Sequence, residues 1–140
     1  MAIVYIEQVD EMSLEQMQAT HESEIKILNE IDKLATMYHI HKADPAELEA
    51  KLDEYVEHVK KHFESEEVLM RKYNFPSYTM HKTAHDTFLS DLDYARKQWK
   101  NGELKKMINF IYKVPEWLLL HVNTVDTPTS NFLERKMKES

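Results

Sequence analysis

The sequence predicts an all-α chain, an antiparallel up-down-up-down four-helix bundle with an N-terminal arm and a short C-terminal tail. Three observations carry that expectation. A single Gly stands among 140 residues, too few for the turns and bulges of a sheet-rich domain. Four segments repeat apolar residues at three- and four-residue intervals, the period of a helix with one buried face. Short breaks at Asp44-Pro45, Asn74-Phe75-Pro76 and Asn101-Gly102 separate them, and terse links between amphipathic helices make antiparallel neighbours. No repeat, low-complexity tract or linker divides the chain, so residues 1–140 read as one domain, with an arm over 1–12, a bundle over 13–127 and a tail over 128–140.

The arm is mildly apolar at Ile3, Val4, Tyr5 and Ile6 but lacks a helical period. Ser13 and Gln16 have the spacing of a capping box, so the first helix is expected from there, with Leu14, Met17, His21, Leu28, Ile31, Ala35 and Tyr38 on one stripe. At the second helix Asp44 caps, Pro45 takes the first helical position and Glu47 favours the positive end of the dipole. Its stripe reads Leu48, Leu52, Tyr55, Val59, His62, Glu66, Leu69 and Tyr73, so two polar residues sit in a core seam. Pro76 pushes its predecessor out of helical geometry and separates the third helix, whose seam is Tyr78, His81, His85, Phe88, Leu92, Ala95 and Trp99. Asn101-Gly102 is its left-handed stop. The fourth helix carries Leu104, Met107, Ile108, Ile111, Leu118, Val122 and Val125; its phase survives Pro115, which predicts one kinked helix rather than two, with His121 beside the seam. Thr127-Pro128 is expected to end or distort it, leaving at most a turn of helix in the tail.

Composition narrows the function. The formal net charge of -7 argues against nucleic acid and against a basic membrane-surface helix. No signal-like start and no apolar run of about 20 residues is present, so the default compartment is the cytosol. Zero Cys removes disulfides, thiolate zinc sites, iron-sulfur clusters and covalent haem attachment. Any metal must be held by nitrogen and oxygen.

Eight His supply the nitrogen. One seam histidine is more often a hydrogen-bonded core residue than a ligand, and one H-x-x-x-H recurs by chance. Here polar residues occupy the inward stripe of all four helices. Residues four apart lie about 40° apart and one turn up the axis, so His62 with Glu66, and His81 with His85, converge on a point inside the bundle. His121 and Asp126 are five apart and would diverge by about 140° on an ideal helix. That spacing requires either a wider local turn, of the bulged kind common at functional sites, or an Asp that reaches around; Pro128, unable to donate back to Thr124, would loosen the turn. Burying five imidazoles and two carboxylates is costly unless cations offset it. The set exceeds the six positions of one octahedral ion, and two metals sharing Glu66 and Asp126 fit it, because a carboxylate has two oxygens to offer. Chemistry alone leaves iron, copper, nickel and zinc open.

The series His21, His62-Phe63-x-x-Glu66, His81-x-x-x-His85 and His121-x-x-x-x-Asp126 resembles the hemerythrin family, most closely its single-domain bacterial members, over roughly Met17 to Asp126. The resemblance implies two non-haem irons. His81, His85 and His121 would hold one, His21 and His62 the other, with Glu66, Asp126 and an oxo or hydroxo group as bridges. Dioxygen would bind the iron with two histidines and be held as a hydroperoxide. Phe63, Trp117, Leu118 and Val122 would line the dioxygen pocket on that open side, and by periodicity they are also simply core. The chain departs from the family pattern at Pro115, at Thr127-Pro128-Thr129 and at Tyr5, where a Trp is common. His39, His41 and His58 match no ligand and are expected in solvent, as is Glu67.

The expected function is reversible dioxygen binding for storage, delivery or sensing, without catalytic turnover. A di-iron redox enzyme acting on peroxide or nitric oxide is the alternative; against it stand the histidine-rich set and the lack of an unassigned acid or base on the seams. An iron or oxygen sensor is a third, and wants an output domain for which 140 residues leave no room. The expected partner is dioxygen, with no nucleic acid and no membrane; a weak homo-oligomer or an unidentified protein partner is left open.

Overall fold

In the computed structural model, residues 15–41 and 45–139 are described, with side chains over 17–39 and 45–139. The arm, the Ser13–Gln16 capping box, the Asp44 cap and the His41 side chain fall outside them. Within the described residues the chain is helical throughout: α1 (Glu15–His41), α2 (Ala46–Lys72), α3 (Tyr78–Lys100), α4 (Leu104–His121), a π turn (Val122–Asp126) and α5 (Thr127–Glu139). The connections after α2 and α3 are too short to cross helices some 30–40 Å long, so α2, α3 and α4 run antiparallel in turn. α1 packs on α2, α2 on α3, α3 on α4 and α4 back on α1, which closes the expected bundle.

The turns carry the signals expected of them. Gly102 has φ 95°, and the Gly102 and Glu103 amides donate to the Trp99 and Gln98 carbonyls, a Schellman end for α3. α2 stops in the same way through Asn74, at φ 54°, with the Asn74 and Phe75 amides on the Arg71 and Met70 carbonyls. The break credited to Pro76 is thus made two residues earlier, by an Asn that tolerates left-handed geometry.

The seams are buried as the periodicity requires. Leu28, Ile31, Leu52, Val59, Leu92 and Ile111 are wholly enclosed, and Trp99, Met107 and Ile108 join them. These residues come mainly from the ends of α1 and α3 and the starts of α2 and α4, which an up-down bundle gathers in one half. The other half collects His21, His62, Glu66, His81, His85, His121 and Asp126, all buried.

α4 continues unbroken through Pro115. The larger departure lies beyond it, because Thr127-Pro128 does not end the helix and the tail is a 13-residue helix, not a single turn. Pro128 follows directly on the π turn, and the helix runs on through it. Leu133, Thr129 and Ser130 are buried, α5 touches α2, and Phe132 packs on Phe75 with ring centroids 5.1 Å apart.

Candidate metal centre

All four helices deliver ligand-type side chains to one end of the bundle. His21 enters from α1, His62 and Glu66 from α2, and His81 and His85 from α3. His121 closes α4, and Asp126 follows on the π turn. That turn is the wider one the five-residue spacing demands: the Thr127 amide bonds to the Val122 carbonyl, an i→i+5 bond. Threonine hydroxyls support its edges. Thr124 donates to Leu120 O at 2.7 Å, Thr127 to Val122 O at 2.9 Å and Thr129 to Val125 O at 2.9 Å.

Two groups result, His81, His85, His121 and Asp126 in one, His21, His62, Glu66 and Asp126 in the other, each with its ligand atoms within 4.8 Å of one another. The carboxylates divide their oxygens between the groups. Glu66 turns Oε1 to His81 Nε2 (3.3 Å) and His85 Nε2 (3.2 Å), and Oε2 to His62 Nε2 (2.7 Å) and His21 Nε2 (4.0 Å). Asp126 turns Oδ1 to His81 Nε2 and His121 Nε2, both at 3.0 Å, and Oδ2 to His21 Nε2 at 3.0 Å. Several of these atoms face one another without a hydrogen bond among the described residues: Nε2 of His21, His81, His85 and His121, Glu66 Oε1 and both Asp126 oxygens. Buried polar atoms are almost always paired, so a concentration of orphans in one spot fits a cation site.

Outer partners fix three rings. His62 Nδ1 donates to Glu24 Oε2 at 2.6 Å, and His85 Nδ1 to Glu67 Oε2 at 2.9 Å. His81 Nδ1 meets Thr129 Oγ1 at 2.8 Å; that hydroxyl already gives its proton to Val125 O, so the ring nitrogen is the donor. In each case the proton on Nδ1 leaves Nε2 directed into the site. Burial raises the Glu24 carboxyl, but the His62 charge, its hydrogen bond and the nearby His58 ring outweigh it and hold the group down at about 2. Burial likewise opposes ionisation of Glu66 and Asp126, yet the surrounding imidazoles hold both well below the carboxylate range. Burial lowers His81, and the Asp126 and Glu66 carboxylates that face its Nε2 more than reverse this, to about 9.

Three expectations need correction. Glu67 is not a surface acid; its side chain is 12% exposed and braces His85. His58 is only half-buried rather than solvated, with Nδ1 3.5 Å from Glu24 Oε2. An unassigned acid does exist: Glu24 is 1% exposed, and its position three residues after His21, on the same inward face of α1, is the signal that could have found it. His39 is exposed, as expected.

The aromatic residues sit against both groups. Phe63 stacks on His85 (centroids 3.9 Å, 4° between planes) and lies 5.2 Å from the His62 ring. Trp117 stacks on His121 at 4.4 Å, and Leu118 and Val122 are buried. The two rings expected on the open side thus make their face-to-face contacts with the three-histidine group.

Residues 12–127, most of the chain, match the model of the hemerythrin HHE cation-binding domain. The chain is 32% identical over 120 residues to bacteriohemerythrin of Aquifex aeolicus, covering 84% of this chain and 87% of the relative. It is 26% identical over 94 residues to bacteriohemerythrin of Ralstonia nicotianae, covering 67% and 69%. To myohemerythrin of Sipunculus nudus it is 32% identical over 77 residues, covering 55% and 58%. No solved structure matches it significantly. A bundle that brings five imidazoles and two shared carboxylates to one end, and a family match over most of its length, make this chain a member of the hemerythrin HHE cation-binding family.

Proposed function

We propose that the chain holds two irons and binds dioxygen reversibly, without turnover. The observation that carries this reading is the division of the carboxylate oxygens: Glu66 and Asp126 each present one oxygen to a three-histidine group and the other to a two-histidine group. Such a set suits two cations rather than one. In this reading His81, His85 and His121 would hold one iron and His21 and His62 the other, with Glu66 and Asp126 shared between them. When bound, the iron pair would supply the redox couple for dioxygen, and the chain offers one fewer histidine to the His21–His62 position. The chain's own part is to hold and exclude. Phe63 spans the rings of both groups, and with Leu118 and Val122 buried nearby it keeps water and protons from the pair.

A redox enzyme acting on peroxide or nitric oxide is the second reading, and Glu24, a buried acid beside a ligand, is the observation in its favour. Glu24 meets His62 at Nδ1, on the side of the ring away from the site, which sides with binding. Metal analysis with absorption spectroscopy tests both. Binding predicts two irons per chain and a colourless reduced form that gains visible bands with oxygen and loses them when oxygen is withdrawn. Irreversible oxidation, or sustained turnover with peroxide and a reductant that His62→Ala abolishes, would establish the enzyme instead.

A further inference from the structure

We infer that Glu24 is the positioning residue of the two-histidine metal position, bracing His62 from behind so that its Nε2 is both aimed and strengthened as a donor. The inference rests on the di-iron reading and adds to it what tunes the open metal. α1 supplies His21 and Glu24 three residues apart, so one inward face delivers a ligand and a brace. A Glu that is 1% exposed is rare in a core and has to be paired. Here one oxygen accepts from His62 Nδ1 at 2.6 Å, the short distance of a charge-assisted bond.

The other rings show why this brace stands out. His21 Nδ1 has no hydrogen-bond partner among the described residues, so Glu24 is the one charged support seen on the two-histidine side. The counterpart on the three-histidine side, Glu67, makes a longer bond of 2.9 Å, is partly open to solvent and shares its other oxygen with Lys82 at 3.5 Å. The deeper and shorter brace therefore serves the metal with fewer protein ligands. A carboxylate accepting the Nδ1 proton pushes electron density toward Nε2, which favours the more oxidised metal. Glu24 thus lowers the reduction potential of that iron and slows oxygen release.

Glu24→Gln and Glu67→Gln in the iron-loaded protein test this. E24Q is expected to keep two irons, shift the Mössbauer doublet of one iron only, raise the reduction potential and release oxygen about tenfold faster. E67Q should shift the other doublet. Doublets and release rate unchanged in E24Q, or both doublets moved alike, would overturn the assignment. Should E24Q fail to fold, the histidine 15N–1H spectrum of the metal-free wild-type chain decides: a far-downfield His62 Nδ1 proton supports the brace, and an ordinary shift refutes it. A wild-type chain that takes up no iron refutes the di-iron function, and the brace then stands or falls on that proton alone.

Discussion

Each imidazole whose Nδ1 is tied to Glu24, Glu67 or Thr129 has one proton position settled, and what remains open is the nitrogen that faces the site. Once metal is stripped by chelation, protons take the cation's place. His81 is pushed down by burial and more strongly up by Asp126 and Glu66, from 6.5 to about 9. A folded value above the unfolded one means stability that is fully present below pH 6.5 and lost as pH rises through about 9. The melting temperature of the stripped chain should therefore fall across that window, and loading zinc at pH 7 should release protons to an indicator dye in weak buffer. Metal uptake at pH 7 with no proton release would show that the site holds neutral imidazoles. Thr129→Val removes the acceptor behind His81 and leaves a buried N–H unpaired, at a cost of about 1–3 kcal/mol in urea denaturation. It should also weaken metal binding about tenfold or more in a competitive chelator titration.

Among the elements, the π turn explains the most. An i→i+5 turn takes one more residue than an α-turn, so side chains five apart on it stand as those four apart do on α2 and α3. His121 and Asp126 converge for that reason, and the phase of α5 is kept, with Thr129 under His81 and Leu133 in the core. Deleting the exposed Asn123 should convert the turn to regular helix with the same convergence. Two metals per chain and an unchanged or higher melting temperature are expected; loss of metal would mean that the turn itself aims Asp126. Pro128, which looked like a stop, lies in a helix that runs on without a break from the π turn into α5.

At the scale of the whole molecule, the bundle has an apolar half that makes it fold and a polar half that a cation must stabilise. Ile111→Ala, in the apolar half, should cost about 2–5 kcal/mol in urea denaturation yet keep two metals per chain. Asp126→Ala should lose metal, while ferrous iron at about 100 times its dissociation constant should stabilise the wild type by about 2.7 kcal/mol and leave that variant unmoved. The fold and the inward histidines were legible because a 3.6-residue period and i, i+4 convergence are local: they put His62 with Glu66 and His81 with His85 on one face before any packing is known. The same arithmetic marked the His121–Asp126 spacing as one that regular helix cannot satisfy and left a wider turn or a reaching Asp; the structure has the turn. What the sequence could not decide is what lies behind each ring. Glu24 is 38 residues from His62, Glu67 is 18 from His85 and Thr129 is 48 from His81, and all three meet their partners only where separate helices pack. The length of α5 belongs with them, since a mostly polar tail becomes helix only when Leu133 and Phe132 have a core and the Phe75 turn to bury against. Local periodicity thus specifies the bundle and the residues that face its axis, whereas packing sets the outer partners that aim them, because hydrogen bonds between helices depend on register and rotation that no single helix carries.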